Sequence, residues 1–330
     1  MPKVSIIMPV YNKARYLTAS LKALLSQTFQ NWELIIVNDG STDESTEIIA
    51  CYASRDHRIS VIHQNNQGVS AARNRGMDCA VGEWIWFVDA DDLPDKNFLS
   101  QVFRMEYDRH IMLIISQYET LENHQINRVI LTENGFLSGE TFGRIFMKYQ
   151  YKNGYFGYLW NKLIRRKMIE KSGIHFDDQV KLAEDLKFLV SLYRLDIGVL
   201  IVPYQSMCYR VNADNSVSGQ RVDYFSQLNI QLTIRKWIID ELHQEQYRVF
   251  FQKIISVYAA CVIFHGYESG SDCLFLAKKL LKIERVRNEL CTQGIEPVLF
   301  PIVWCLKRNH LYIMQGYLII RYHIRSIYRR

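Results

Sequence analysis

The stretch Gly82-Glu83-Trp84-Ile85-Trp86-Phe87-Val88-Asp89-Ala90-Asp91-Asp92 decides the fold. Trp84 to Val88 is a short aromatic and β-branched run, the composition of a buried strand. Asp89, Asp91 and Asp92 end it. Three carboxylates at the carboxyl end of a core strand repel one another, and burial penalises each of them. A divalent cation removes that penalty, and hard oxygen ligands suit Mg2+ or Mn2+. Strand carboxyl ends are also where an open α/β sheet binds its ligands. An isolated acidic turn is equally at home in solvent, so the surrounding chain has to decide between the two.

Working outward, three more apolar runs precede this one. Val4 to Val10 is a strand ended by Pro9-Val10-Tyr11-Asn12, and Leu17, Leu21, Leu24 and Leu25 then recur at helical spacing over 14–27. Trp32 to Val37 is a second strand, closed by Asn38-Asp39-Gly40-Ser41-Thr42-Asp43, a run of turn and N-cap residues that predicts a helix over 44–53. Ile59 to His63 is a third strand, and 68–80 reads as a helix. Four β-α repeats with short connections predict an α/β fold with a mainly parallel central sheet and helices on both faces.

After Asp95 the pattern loosens. The spacing predicts helices over 97–107, 139–149 and 183–195, and strands over 111–118, 128–131 and 199–209, the second of these an edge. From about Asp223 the chain turns largely helical, which divides it into 1–222 and 223–330. The 330 residues, 48% hydrophobic and 22% charged, suit a full α/β domain with a smaller second region and exclude wholesale disorder. The seven cysteines are scattered without a C-x-x-C pair, which argues against a disulfide framework or a zinc site and favours a reducing compartment. The N-terminus opens directly into an apolar strand rather than a signal-peptide layout. No uninterrupted apolar run reaches the roughly 18 to 20 residues that span a bilayer, the longest being Ile254 to Phe264. A soluble or membrane-surface protein is expected.

Asp39 falls at the end of the second strand, level with Asp89 and Asp91 at the end of the fourth. Carboxylates on neighbouring strand ends can accept hydrogen bonds from a nucleobase and from ribose hydroxyls, while a metal holds a diphosphate. Gly68-Val69-Ser70-Ala71-Ala72-Arg73-Asn74 places small residues at a helix start and a cation within its first turns. Arg73 there serves either a nucleotide or an internal ion pair.

Four motifs then become specific together: Val-Ser-Ile-Ile-Met-Pro-Val-Tyr-Asn (4–12), Ile-Ile-Val-Asn-Asp-Gly-Ser-Thr-Asp (35–43), Gly-Val-Ser-Ala-Ala-Arg-Asn-Arg-Gly (68–76) and Phe-Val-Asp-Ala-Asp-Asp (87–92). In order and spacing the chain resembles family 2 glycosyltransferases of the GT-A (nucleotide-diphospho-sugar transferase) fold, including those of bacterial capsule and lipopolysaccharide synthesis. The likeness continues through Trp160-Asn161-Lys162-Leu163, Ala183-Glu184-Asp185 and Tyr209-Arg210, and covers about two-thirds of the chain. It implies a GT-A catalytic domain over 1–222, with a nucleotide-binding part over about 1–95 and an acceptor part over about 96–222. The implied reaction is inverting transfer of a sugar from UDP-Gal, UDP-Glc or UDP-GlcNAc to a hydroxyl of a growing, lipid-linked bacterial glycan.

The resemblance also assigns residues. Pro9, Tyr11 and Asp39 line the uracil, Arg73 sits near the base or diphosphate, Asp89 faces the ribose and Asp91 coordinates Mn2+ or Mg2+. Asp185 is the general base, with Glu184 orienting it or meeting the acceptor. Inversion needs one in-line displacement with a carboxylate drawing off the acceptor proton, so no covalent intermediate and no Ser-His or Cys-His pair is required. The alternative for Asp185 is an acid favoured by a helix start. Trp160 and Lys162 either shape the sugar or acceptor pocket or belong to the core. Asp43 and Asp92 read as cap or turn residues.

No acid follows Glu296, whereas Lys307, Arg308, Arg321, Arg325, Arg329 and Arg330 are basic. Ile313, Tyr317, Ile320, Ile324 and Ile327 step by four and three along one face. Such a helix binds an anionic membrane surface, at the inner face of the cell membrane, or else packs on the protein with a solvated basic side. Nucleic acid lacks a recognition element here. Two other function classes compete: a catalytically inactive family member acting as a nucleotide-sugar-binding or scaffold subunit, and a nucleotidyltransferase. The latter wants a Gly-rich basic loop where Pro9-Val10-Tyr11-Asn12 stands.

Overall fold

The computed structural model describes residues 1–104, 106–123, 125–211 and 222–328, with 322–328 as backbone alone. The chain forms two compact units, Met1–Gly219 and Gln220–Arg330.

The first unit begins with β1 (Val4–Val10), α1 (Ala14–Leu25), β2 (Trp32–Asp39), α2 (Ser45–Ala53), β3 (Ile59–Gln64), α3 (Val69–Cys79) and β4 (Trp84–Phe87). Strands β3-β2-β1-β4 pair in parallel, with Ile6 opposite Leu34 and Trp86. All of β4 and nearly all of β1 and β2 is buried, as expected of strands covered on both faces. Helix α3 lies so close to β1 that a Cβ at Gly76 would come within 2.4 Å of Ile7 Cγ2, which requires glycine there.

The remainder is β5 (Leu93–Pro94), α4 (Phe98–Val102), β6 (Ile111–Glu122), β7 (Gln125–Val129), β8 (Gly135–Leu137), α5 (Gly139–Asn153), β9 (Lys162–Arg165), α6 (Arg166–Ser172), α7 (Glu184–Tyr193) and β10 (Gly198–Arg210). The full order is β3-β2-β1-β4-β9-β6-β10-β5, with β7 on β6 and β8 on β10. Parallel pairing continues in β6–β10, but β9 enters antiparallel between β4 and β6, so this half of the sheet is mixed. The sequence pattern does not disclose β9, because its strand begins on a lysine and is flanked by Asn161. The helix expected over 97–107 is the five-residue α4, whose Phe98, Leu99 and Val102 are buried.

The second unit contains α8 (Tyr224–Arg235), a π-helical turn at 236–241, α9 (Arg248–Glu268), α10 (Cys273–Lys282), α11 (Glu284–Glu289), α12 (Phe300–Arg308) and α13 (Leu311–Tyr328). Asp223 caps α8 by accepting from the amides of Phe225 and Ser226. Arg235 Nε donates to Glu289 at 2.7 Å, a buried pair that ties α8 to α11. By length and composition Glu245–Glu268 would cross a membrane. Within this unit, however, α9 is the central helix, with Phe251, Ile255, Ala259, Ala260 and Ile263 fully buried and α8 and α10–α13 packed against it.

Helix α13 packs through a stripe other than the apolar face read from the sequence. Leu311, Met314 and Leu318 are the buried stripe, whereas Ile313 and Ile320 of the expected apolar face are exposed. The segment carries two apolar stripes, and periodicity alone does not say which one packs. Tyr317 is half-buried, and its hydroxyl donates to the Val298 carbonyl at 2.9 Å. The side chains of Ile324, Arg325 and Ile327, and all of Arg329 and Arg330, lie outside the described residues.

Candidate active site

The loops after β1 and β2 are built on acids saturated by backbone amides. Buried Asp39 accepts from Gln64 Nε2 (2.8 Å), Gln67 N (2.9 Å) and Gly68 N (2.8 Å). It thereby fixes the entry to α3, where Gly68 takes φ +92°, a backbone state natural to glycine. Asp43 accepts from Ala14 N and from Ser45 N, each at 3.0 Å, and so holds the starts of α1 and α2 together. Asn12 Oδ1 accepts from Thr42 N at 2.8 Å. Tyr11 stands out from this frame, 46% exposed, and Pro9 is half-buried.

The acids after β4 and at the start of α7 are held differently. Arg73, on the second turn of α3 and only 3% exposed, reaches three carboxylates. Its Nη1 donates to Asp185 (2.6 Å) and Glu184 (3.2 Å), and its Nη2 to Asp89 (3.1 Å). Burial alone would lower the Arg73 pKa, but Asp185, Asp89 and Glu184 outweigh it and push the value up, so the guanidinium is permanently charged. Asn74, the next residue, exchanges two 2.9 Å hydrogen bonds with the backbone of Phe176, and Phe176 stacks on Phe188 of α7 at 4.0 Å. These contacts bring residues 184 and 185 to α3 from more than a hundred positions away.

Asp91 receives Lys13 Nζ at 2.5 Å. Asp92 is buried; its Oδ1 accepts from Arg210 N at 3.1 Å, while its Oδ2 has no hydrogen-bond partner. Burial, then the charges of Asp89 and Asp91, raise its pKa well above the ordinary carboxylate value. Burial likewise raises Asp185; Arg73 opposes this, and Glu184 and Asp89 add to it. Solvent still reaches 22% of the Asp185 side chain. The residue before the pair, Ala183, takes φ +61°, a left-handed state costing an alanine about 1 kcal/mol or more.

Trp160 and Lys162 are both buried. Lys162 Nζ donates to the carbonyls of Tyr155 and Tyr158 and to Asn161 Oδ1, and burial pulls its pKa well down against the opposing charge of Asp185. Trp160 lies near parallel to Tyr158 at 4.9 Å and to Tyr209 at 5.4 Å, and the two tyrosine rings are themselves 6.1 Å apart. Tyr158 and Tyr209, half-buried where Trp160 is buried, are better placed than Trp160 to meet a substrate. Burial, then Asp92, pushes the Tyr209 hydroxyl up to about 12, which marks how near this stack lies to the acids.

Of the residues singled out in the sequence, Arg73 gathers Asp89, Glu184 and Asp185, and Asp39 anchors the loop that starts the same helix. Asp91 neighbours them on the β4 loop, while Tyr11 and Pro9 stand at the end of β1. Lys13 and Arg210 join the site as well, the first without prior notice. Lys13 has no motif of its own, although Arg210 lies in the Tyr209-Arg210 likeness. A divalent cation fits this donor set: Asp92 Oδ2 is an orphaned buried oxygen beside two further carboxylates. Among the described residues no three His, Cys, Asp or Glu side chains form a cage. One or two carboxylates with a ligand diphosphate is the coordination Mg2+ and Mn2+ commonly take.

A ten-stranded sheet with acids at its parallel strand ends, facing a Glu-Asp pair at a helix start, defines a glycosyltransferase of the GT-A fold. The crystal structure of S. aureus TarS 1-349 in complex with UDP-GlcNAc superposes with a TM-score of 0.68 at 18% identity, covering 96% of this chain and 91% of that one. The mannosyltransferase PcManGT from Pyrobaculum calidifontis, in complex with GDP-Man and Mn2+, gives 0.50 at 14% identity over 96% and 87%. The profile of Glycosyl transferase family 2 matches residues 5–173. The glycosyltransferase EpsH of Bacillus subtilis (strain 168) is 31% identical over 291 residues, 87% of this chain and 82% of its own. The chain belongs to glycosyltransferase family 2, enzymes that move a sugar from a nucleotide-sugar.

Proposed function

We propose that this enzyme transfers a hexosyl or N-acetylhexosaminyl group from a UDP-sugar, with inversion, to a hydroxyl of a lipid-linked glycan at the inner face of a bacterial membrane, in the making of a surface polysaccharide. The observation that carries the reading is the Arg73 clamp, which sets a donor-side acid, Asp89, against the Glu184-Asp185 pair. The UDP-GlcNAc held by TarS supports a UDP-sugar donor, and the Mn2+ of PcManGT supports a divalent cation.

In this mechanism Pro9 and Tyr11 flank the base, Asp39 holds the loop beneath it and Asp89 faces the ribose. Asp91, with Asp92 beside it, would hold the cation, which when bound neutralises charge on the departing diphosphate. The acceptor oxygen attacks the anomeric carbon as the bond to the β-phosphate oxygen breaks, and Asp185 takes the acceptor proton. UDP leaves with the bonding pair, so no protein–sugar bond forms. The raised pKa of Asp185 makes it a stronger base than an exposed aspartate, while the Arg73 charge opposes that rise and favours the ionised form. Glu184 shares Arg73 Nη1 with Asp185 while Asp89 holds Nη2, and together they fix the direction of the guanidinium.

Asp185→Asn tests the assignment. With a panel of UDP-sugars and Mn2+ present, transfer is expected to fall by about 10²–10⁴-fold while UDP affinity by calorimetry is retained. An unchanged rate removes Asp185 as the base, and full turnover in excess chelator removes the cation.

A further inference from the structure

Helix α13 presents an apolar side to solvent. Tyr312 is 79% exposed, Ile313 59% and Ile320 63%, and Gly316 lies between them on the helix surface. At 100° per residue these four positions share one face, opposite Leu311, Met314 and Leu318. The hydroxyl bond of Tyr317 to Val298 brings partly exposed Val298 alongside, next but one to exposed Phe300. Soluble proteins scatter single exposed apolar residues; a contiguous group marks an interaction surface.

The rim identifies the partner. Lys307, Arg308 and His310 are exposed where α12 gives way to α13, and no acidic residue occurs from 297 to the end of the chain. Half-buried Trp304 lies 5.1 Å below the Arg308 guanidinium and 5.4 Å from the His310 ring, an aromatic residue beside the cations. A second copy of this chain would set these cations against their own like charges. Anionic phospholipid takes up both features, apolar side chains at the acyl boundary and cations among the headgroups.

We infer that the face of α13 bearing Tyr312, Ile313 and Ile320 lies in the surface of an anionic bilayer, with Lys307 and Arg308 at the headgroups. The inference takes its setting from the membrane-borne acceptor proposed above, whereas its test reads lipid binding alone and is indifferent to which sugar is moved.

The full chain is floated with vesicles of phosphatidylcholine, with or without phosphatidylglycerol. Binding is expected with phosphatidylglycerol, to weaken in high salt, and to fall by about tenfold or more in the Ile313→Glu/Ile320→Glu variant. Lys307→Ser and Arg308→Ser are each expected to weaken it by about fivefold, and they decide the matter should the first variant unfold early. Equal binding to both vesicle types, flotation unaffected by the substitutions, or no flotation of the parent chain overturns the inference. So does a parent dimer, seen by sedimentation, that Ile313→Glu/Ile320→Glu dissociates.

Discussion

The acids of the β1 and β2 loops and those of the β4 loop and α7 are held by different partners. Asp39 and Asp43 take hydrogen bonds from four backbone amides, groups that cannot leave without unmaking the loops. Asp89, Asp91, Glu184 and Asp185 are held by the side chains of Arg73 and Lys13, and Asp92 keeps one oxygen with no partner. Backbone donors make a fixed frame. Side-chain cations around an excess of acids make a place where another cation, a diphosphate or a proton can enter. The first group is architecture and the second is chemistry, although one sheet edge carries both.

Breaking the clamp is the severest test of that division. Arg73→Met leaves three carboxylates without their shared cation, a loss of about 3 kcal/mol for a partly solvated cluster. The pH dependence carries the more specific signal. Asp185 already titrates above the ordinary carboxylate range, and Arg73 pulls it down. Without Arg73 it rises further, so the acidic limb of the rate profile moves to higher pH and transfer at neutral pH falls. Unpaired Asp185 also disfavours folding progressively as pH rises from its unfolded value through its raised folded one, so thermal stability recovers on acidification. A limb that stays in place would mean Arg73 does not act on Asp185.

Asp39 gives the intermediate effect, one of stability before chemistry. Asp39→Ala removes the acceptor of two partly buried amides and of Gln64, which is expected to lower stability by about 1–2 kcal/mol and UDP affinity by about tenfold. Calorimetry for UDP and the unfolding midpoint separate the two. Full stability with lost affinity would move Asp39 from the frame to the ligand site.

The contrast was partly legible in the sequence. Strands β1, β2 and β4 are near-continuous apolar runs because both faces are buried, whereas the edge strand β3 is partly exposed, and acids close β2 and β4 as visible punctuation. The Arg73 partnership was not legible: nothing local ties position 73 to 184 and 185, and the link depends on Asn74 gripping the backbone at Phe176. Lys162 was misleading for a related reason. A lysine inside a fully buried strand is unreadable until Tyr155, Tyr158 and Asn161 are seen to supply its oxygens. In α13 the two apolar stripes were of equal weight, and only the packing of Met314 and Leu318 chose between them.

Asp92 sharpens the comparison with the smallest change and the opposite sign. Its folded-state pKa is raised, whereas in the unfolded chain it titrates near 3.8. The unfolded state therefore loses this proton first, and stability declines as pH rises from that value through the folded-state pKa. Asp92→Asn keeps the acceptor for Arg210 N and places a neutral amide beside Asp89 and Asp91. The variant is expected to melt a few degrees higher than the parent at neutral pH without added metal, and at the same temperature below about pH 4, where both carry an uncharged side chain. Asp39→Asn, by contrast, is expected to melt lower at neutral pH, because its amide nitrogen replaces one of the two oxygens and cannot accept from the backbone amide that oxygen served, either Gly68 N or Gln67 N. Two buried aspartates on one sheet edge thus respond to the same substitution with opposite signs. Lowered melting for Asp92→Asn would place Asp92 with the frame and leave the cation to Asp91.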